Sequence, residues 1–238
     1  MIQKGNAFKM KKIISVLLVV LLLSVGTTTY AAGRLSVDQE NFDVVSSYWT
    51  YGYAYAKVTN VGDKAIKVNA GVLEIYDEAG DVLTSSDYLS AYAEYLEPGD
   101  YTYVKMYSEI TTGKAADYAL TLTGKSDTSK RTLRLPVETD LQLDIKDGWW
   151  TYNYMYATVT NDTDKPLYGI RVVLALLDAE GNILDIEDEN MYDDKALTPG
   201  SSMIVRKDIS STFMDYYKAN GIVPASVDAI AYVIEDVE

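Results

Sequence analysis

The chain of 238 residues carries 21 basic side chains against 35 acidic ones, a net charge of −14, and has no histidine and no cysteine. Lacking both, it has none of the usual ligands of zinc, copper and haem, and none of the nucleophile–base pairs of Ser-His-Asp and Cys-His enzymes. Its acidity disfavours nucleic acid and anionic lipid and favours neutral or cationic partners, or divalent cations.

Residues 1–32 have the layout of a secretory signal. Lys9, Lys11 and Lys12 form a basic start, and Ile13 to Leu23 is an apolar run broken only by Ser15. Thr27-Thr28-Thr29-Tyr30-Ala31-Ala32 then supplies small residues for cleavage after Ala31 or Ala32. The competing reading is a membrane anchor, but the run falls short of the roughly 20 residues that a spanning helix needs. The segment holds four Lys and no acid, so its removal leaves a mature chain of about 206 residues and net charge −18. An exported chain without cysteine must hold its fold by core packing, which suits a bacterial envelope. The expected location is therefore secreted or at the cell surface. No cofactor is expected. The expected partner is a cell-wall glycan or an envelope protein, with no nucleic acid and no stable membrane insertion after cleavage.

Beyond the signal the chain repeats itself at a fixed offset of 101 residues. Trp49-Thr50-Tyr51 returns as Trp150-Thr151-Tyr152, and Val58-Thr59-Asn60 as Val159-Thr160-Asn161. Asp77 and Gly80 return as Asp178 and Gly181, and Pro98-Gly99 as Pro199-Gly200. One offset held across some fifty residues means one fold used twice. Within each copy the periodicity is two. Trp49, Tyr51, Tyr53 and Tyr55 alternate with Thr50, Gly52, Ala54 and Ala56, and Tyr101 to Val104 and Tyr118 to Leu122 continue in kind. Turn signals bound these runs, at Asn60 to Asp63, Asp77 to Asp81 and Glu97 to Asp100, and again at Asn161 to Asp164, Asp178 to Asn182 and Thr198 to Ser201. Strands of five to nine residues at this spacing predict an all-β protein, two tandem antiparallel β-sandwiches of immunoglobulin-like type. The polar stretch Gly124 to Lys130 sets the boundary, giving repeat 1 over 33–128 and repeat 2 over 129–238. The linker is short, so the two sandwiches are expected to sit close together.

The second copy has about ten extra residues between Ile209 and Val227. Ser211 to Gly221 reads as a short helix capped by Ser210 or Ser211 and ended by Gly221, with Phe213, Met214 and Tyr217 on one face. Its expected role is to plug one end of the sandwich. Asp77 and Asp178, each followed by a glycine, are expected to accept backbone N–H groups at a turn, and Asn60 and Asn161 to act similarly.

Leu73-Glu74-Ile75-Tyr76-Asp77 ahead of Gly80 and Pro98-Gly99, with Val58-Thr59-Asn60 upstream, resembles the FxLYD domain family. Leu174-Ala175-Leu176-Leu177-Asp178 with Gly181 and Pro199-Gly200 is the second instance. Leu73 and Leu174 stand where the family has Phe, and Leu177 where it has Tyr. The resemblance covers nearly the whole mature chain and implies immunoglobulin-like sandwiches outside a bacterial or archaeal membrane. It brings no catalytic residues.

The leading candidate site is the pair of aromatic strands, Trp49, Tyr51, Tyr53 and Tyr55 and their repeats Trp150, Tyr152, Tyr154 and Tyr156. Lys57, Thr59, Thr158 and Thr160 continue the aromatic side, and Val58 and Val159 continue the small-residue side, which points the rings outward. Exposed rings in a row would stack sugars or a partner protein. The bland alternative is that they cover a core or pack one domain on the other. Tyr88, Tyr92, Tyr95, Tyr101, Tyr103 and Tyr107 widen the first face. A weaker candidate is the acidic run Asp185 to Asp194, where Asp185, Glu187, Asp188 and Glu189 could contribute oxygens to calcium. Its alternative is a solvated loop. No pair of acids, phosphate loop or nucleophile elbow stands out, and no enzyme is expected.

Overall fold

The computed structural model describes residues 34–191 and 195–237. The expected signal segment, and Tyr192, Asp193 and Asp194 of the acidic run, lie outside the described residues. The alternation read from the sequence becomes fifteen strands among the described residues. In repeat 1 these are β1 (Leu35–Ser46), β2 (Thr50–Asn60), β3 (Ile66–Tyr76), β4 (Val82–Ser86), β5 (Leu89–Ala91), β6 (Tyr95–Leu96), β7 (Tyr101–Glu109) and β8 (Asp117–Ser126). In repeat 2 they are β9 (Lys130–Leu135), β10 (Val137–Asp147), β11 (Trp150–Thr160), β12 (Arg171–Asp178), β13 (Ile183–Asn190), β14 (Ser202–Asp208) and β15 (Pro224–Asp236), with helix α1 (Ser211–Asn220) before β15. The fold is all-β and sandwich-type, and every pairing is antiparallel. Several strands exceed the predicted length, up to 13 residues in β15. The alternation runs on through charged positions that point to solvent.

In repeat 1 the sheet β1-β2-β7-β5 faces β4, β3 and β6, with β8 on the far side of β3. In repeat 2 the sheet β10-β11-β14 faces β13-β12-β15-β9. Pro136 separates β9 from β10, and the chain changes sheets there: β9 pairs with β15 and β10 with β11. A residue without an N–H suits such a crossing. The small-residue side of each aromatic strand faces inward, as expected. Ala54, Ala56 and Val58 pack with Leu73, Ile75, Val104 and Met106. Met155, Ala157 and Val159 pack with Val172, Leu174, Leu176 and Ala231. Gly52 of β2 has no room for a side chain: a Cβ there would sit 2.5 Å from Ile75 Cδ1.

The turn residues act in duplicate. Asp77 Oδ1 accepts from Ala79 and Asp81 N–H at 2.8 and 3.0 Å, and Asp178 Oδ1 from Glu180 and Asn182 N–H at 3.0 and 2.7 Å. Gly80 and Gly181 both take φ of 84°, which a side chain would oppose. Asn60 is fully buried, and its Nδ2 donates to Lys64 O and Leu96 O at 2.8 and 2.9 Å. Asn161 donates to Lys165 O and Leu197 O at 2.9 and 2.7 Å. Each also takes a glycine N–H on its backbone carbonyl, Gly99 at 2.8 Å and Gly200 at 2.7 Å. One amide therefore ties the end of the aromatic strand to two turns. α1 is capped as the sequence predicts, by Ser210 accepting from Thr212 N–H and by Gly221 at φ 69°. Among the described residues no helix is long and apolar enough to cross a membrane.

Replacing either asparagine removes both donations of its amide, one of them to a buried leucine carbonyl. Asn60→Ala and Asn161→Ala are each expected to cost about 1–3 kcal/mol, read from the midpoint of urea unfolding at unchanged slope.

Candidate binding face

Both aromatic strands point away from their own core, but their surroundings differ. Repeat 1 lays its aromatic face on the β13-β12-β15-β9 sheet of repeat 2, and the two repeats cluster as one compact unit. Tyr55 and Tyr103 pack with Val173, Ala175, Ile183, Ile186, Ile230 and Tyr232 in a shared apolar cluster. Tyr55 is fully buried and Tyr53 half-buried, its ring 5.2 Å from Phe213 of α1. Tyr51 lies farther along the strand, and Trp49 is 56% exposed at its tip. The outward-facing reading thus holds within repeat 1 alone, and the exposed binding surface expected at Tyr55 is corrected to an interface between repeats. Of the six tyrosines expected to widen that face, Tyr95 and Tyr103 are buried, Tyr92 and Tyr101 half-buried, and Tyr88 and Tyr107 exposed.

Polar groups fix the docking. Lys105, on β7 opposite Tyr55, donates to Asp185 Oδ1 and Ile186 O at 2.9 Å and to Glu187 Oε1 at 3.0 Å. Burial pulls the Lys105 pKa down, but Asp185 and Glu187 outweigh it and hold the ammonium above the usual lysine value. Burial, with Glu187 adding, holds the Asp185 carboxyl above its ordinary range against the pull of Lys105. At the other side Tyr103 donates to Asp228, Lys57 lies 3.6 Å from the same carboxylate, and Arg134 donates to Tyr101 O. On β1, Gln39 and Asn41 donate to Gly181 O and Ile183 O, each at 2.8 Å. Tyr216 of α1 donates to Asp43 at 2.9 Å, and Tyr217 to Leu184 O at 2.8 Å. The helix therefore braces the two repeats and does more than plug one end. Tyr55 Oη is buried with no hydrogen-bond partner among the described residues.

The same contacts bear on the acidic run, whose Asp185 is buried on β13 and not part of a solvated loop. An ammonium fills the space between Asp185 and Glu187, Glu189 pairs with Lys207 at 2.9 Å, and no group of three or more metal-ligating side chains occurs among the described residues.

Repeat 2 keeps its aromatic face open. Tyr152, Tyr154 and Tyr156 are half-buried, as Tyr53 is, and Trp150 is 69% exposed. Ring centroids run 5.8 Å from Tyr152 to Tyr154 and 5.9 Å on to Tyr156. Arg206, at the position that Lys105 holds in repeat 1, stacks its guanidinium 4.7 Å from the Tyr154 ring centre and lies 3.7 Å from Asp208. Ile204 and Ile145 add exposed apolar area. Among the described residues no element of either repeat covers this face. The eight candidate aromatics therefore do not form one site: four belong to repeat 2's open face, Tyr55 and Tyr53 to the interface, and Tyr51 and Trp49 to its margin. No protein-family model matches the chain, and no curated protein is similar to it at a significant level.

The two faces should respond differently to truncation. Tyr55→Ala is expected to cost about 3–5 kcal/mol and Tyr156→Ala less than about 1 kcal/mol, both by urea denaturation. Tyr55→Phe removes an unpaired buried hydroxyl and should leave stability unchanged or raise it by up to about 1 kcal/mol.

Burial holds the hydroxyls of Tyr55, Tyr103 and Tyr217 above the usual tyrosine value and pushes Tyr92 up to about 12. The raised Lys105 acts in the same sense. In each case the folded state binds the proton more tightly than the unfolded chain does. Stability is then complete below about pH 10 and is lost as the pH climbs toward the folded values. Chemical denaturation across this range should show a steep fall above about pH 10, with the tyrosinate absorbance of these buried rings appearing together with unfolding.

Proposed function

We propose that this protein is an exported, non-catalytic binding module of a bacterial cell envelope or extracellular space. It would be built from two immunoglobulin-like domains of the FxLYD type and bind a glycan or a protein through the aromatic face of repeat 2. The carrying observation is the asymmetry of the duplication. The same aromatic strand occurs twice, once spent in joining the repeats and once left open with Trp150, Tyr152, Tyr154 and Tyr156 at the surface. A row of apolar rings with hydroxyl edges suits contact with either class of ligand. The basic–apolar–small layout of residues 1–32 supports export. The alternative, a structural or assembly pair with no small ligand, draws on repeat 1, whose face of the same kind binds another domain.

The test is retention of the protein on purified cell-wall polysaccharides and on envelope extract, with and without calcium. Saturable retention that is lost in Tyr152→Ala/Tyr154→Ala, with the variant's unfolding midpoint changed by less than about 1 kcal/mol, is the expected result. Retention unaffected by that pair, or absent on every matrix, would favour the structural alternative.

A further inference from the structure

We propose that the open face of repeat 2 takes a cationic polypeptide segment, one that presents Lys or Arg side chains. This rests on reading that face as the binding surface. Repeat 1 shows how such a face engages a neighbour. Two amides on its β1 rim, Gln39 and Asn41, donate to carbonyl oxygens of the hairpin they meet, and Asp43 beyond them accepts from Tyr216. The rim positions match by register. Gln39 lies opposite Lys57 and Asn41 opposite Tyr55, while on β10 Glu138 lies opposite Thr158 and Asp140 opposite Tyr156. At these two positions repeat 2 has carboxylates where repeat 1 has amides, and an ionised carboxylate only accepts. At the next pair the order reverses, with Asp43 opposite Tyr53 and Gln142 opposite Tyr154, the latter glutamine donating to Asp140 at 2.8 Å. A carbonyl edge of the kind repeat 1 binds would meet this rim acceptor to acceptor. The occupant must bring donors.

Charge points the same way. Asp147 lies opposite Trp150 and Asp208 opposite Tyr154, so four exposed carboxylates flank the rings. Arg206 is the one cation on this face among the described residues, and it is already matched with Asp208 and the Tyr154 ring. Unspent negative charge beside aromatic rings is the environment that ammonium and guanidinium groups seek. Glu138 and Asp140 are two residues apart on one strand, about 7 Å, the spacing at which an extended peptide presents alternate side chains. A neutral glycan would donate hydroxyl hydrogens to the carboxylates but leave their charge unmatched. A second copy of the chain, docking as repeat 1 does, would have to offer its repeat 1 outer sheet, where Glu74 and Ser85 replace Ala175 and Ile186.

The experiment is a fluorescence binding titration of the protein with a labelled peptide of alternating Lys and Ser. An alternating Glu and Ser peptide and a neutral β-1,4-linked glucan oligomer serve as comparators. Glu138→Gln/Asp140→Asn should weaken the lysine peptide about tenfold or more, as should Tyr152→Ala/Tyr154→Ala. Glu78→Gln/Glu97→Gln, which removes the same charge from turns of repeat 1, should change it less than about twofold. Added salt should weaken the wild-type complex. Equal weakening by both charge pairs would reduce the effect to general attraction and overturn the proposal. Binding of the glucan oligomer alone, lost with the tyrosine pair, would overturn it while upholding the binding-module reading. A concentration-dependent dimer in sedimentation, abolished by the tyrosine pair, would replace the cationic segment with a second copy. Failure to bind the lysine peptide at any salt would overturn this inference, and the matrix retention above would then decide the broader reading separately.

Discussion

Lys105 lies between two carboxylates at the seam between the repeats, and the arrangement of the whole molecule depends on that contact. Its side chain is 15% exposed and that of Asp185 5%. A charge so placed would be costly alone, and its three hydrogen bonds to repeat 2 make it tolerable. They also set the register of one repeat on the other, because an ammonium with fixed partners permits fewer sliding positions than apolar contact does. Tyr55, Tyr103, Val173, Ile186 and Ile230 supply the burial around it. Without the ion group the aromatic face would still be apolar, and the amides of Gln39 and Asn41 and the Tyr103–Asp228 contact would be left to select the orientation. Specificity is the role here for which buried polar groups are best suited.

Much of each sandwich was legible in the sequence because its causes are local. Alternation placed β2 and β11 and assigned their inner faces, and Lys57 and Thr158 marked the outer ones. Asp-x-x-Gly located the hairpin turns, and Ser210 and Gly221 bounded α1. The relation between the repeats was not legible in the same way. Gln39 meets Gly181 across 142 residues of sequence, and Lys105 meets Asp185 across 80. No periodicity encodes such a partner. One signal was present: Lys105 interrupts the tyrosines of β7, and its counterpart at the 101-residue offset is Arg206. A cation held at the centre of an aromatic face in both copies has a reason to be there. The acidic run containing Asp185 and Glu187 was the complementary half of that signal, and read alone it suggested a solvated loop, with calcium as the weaker candidate.

Duplication by itself explains why one face stayed open. When two like domains join through unlike surfaces, each end of the pair retains one unmatched surface, and further copies can add without limit. The chain differs from a simple repeat at both ends. On the outer sheet of repeat 1, Thr121 stands beside Val72 where repeat 2 has Ile230 beside Val173, and Glu74 stands where repeat 2 has Ala175. That sheet therefore lacks the apolar surface that receives Tyr55. On the rim of repeat 2, Glu138 and Asp140 replace the donating amides. Each change alone weakens stacking of one chain on the next. Together they make the first docking mode unavailable to the second face, while its rings remain exposed. Exposed apolar area, with Trp150 and Ile204 each about 70% accessible, carries a standing risk of aggregation. Its acidic rim limits that risk among like-charged copies while leaving the rings open to a partner of opposite charge.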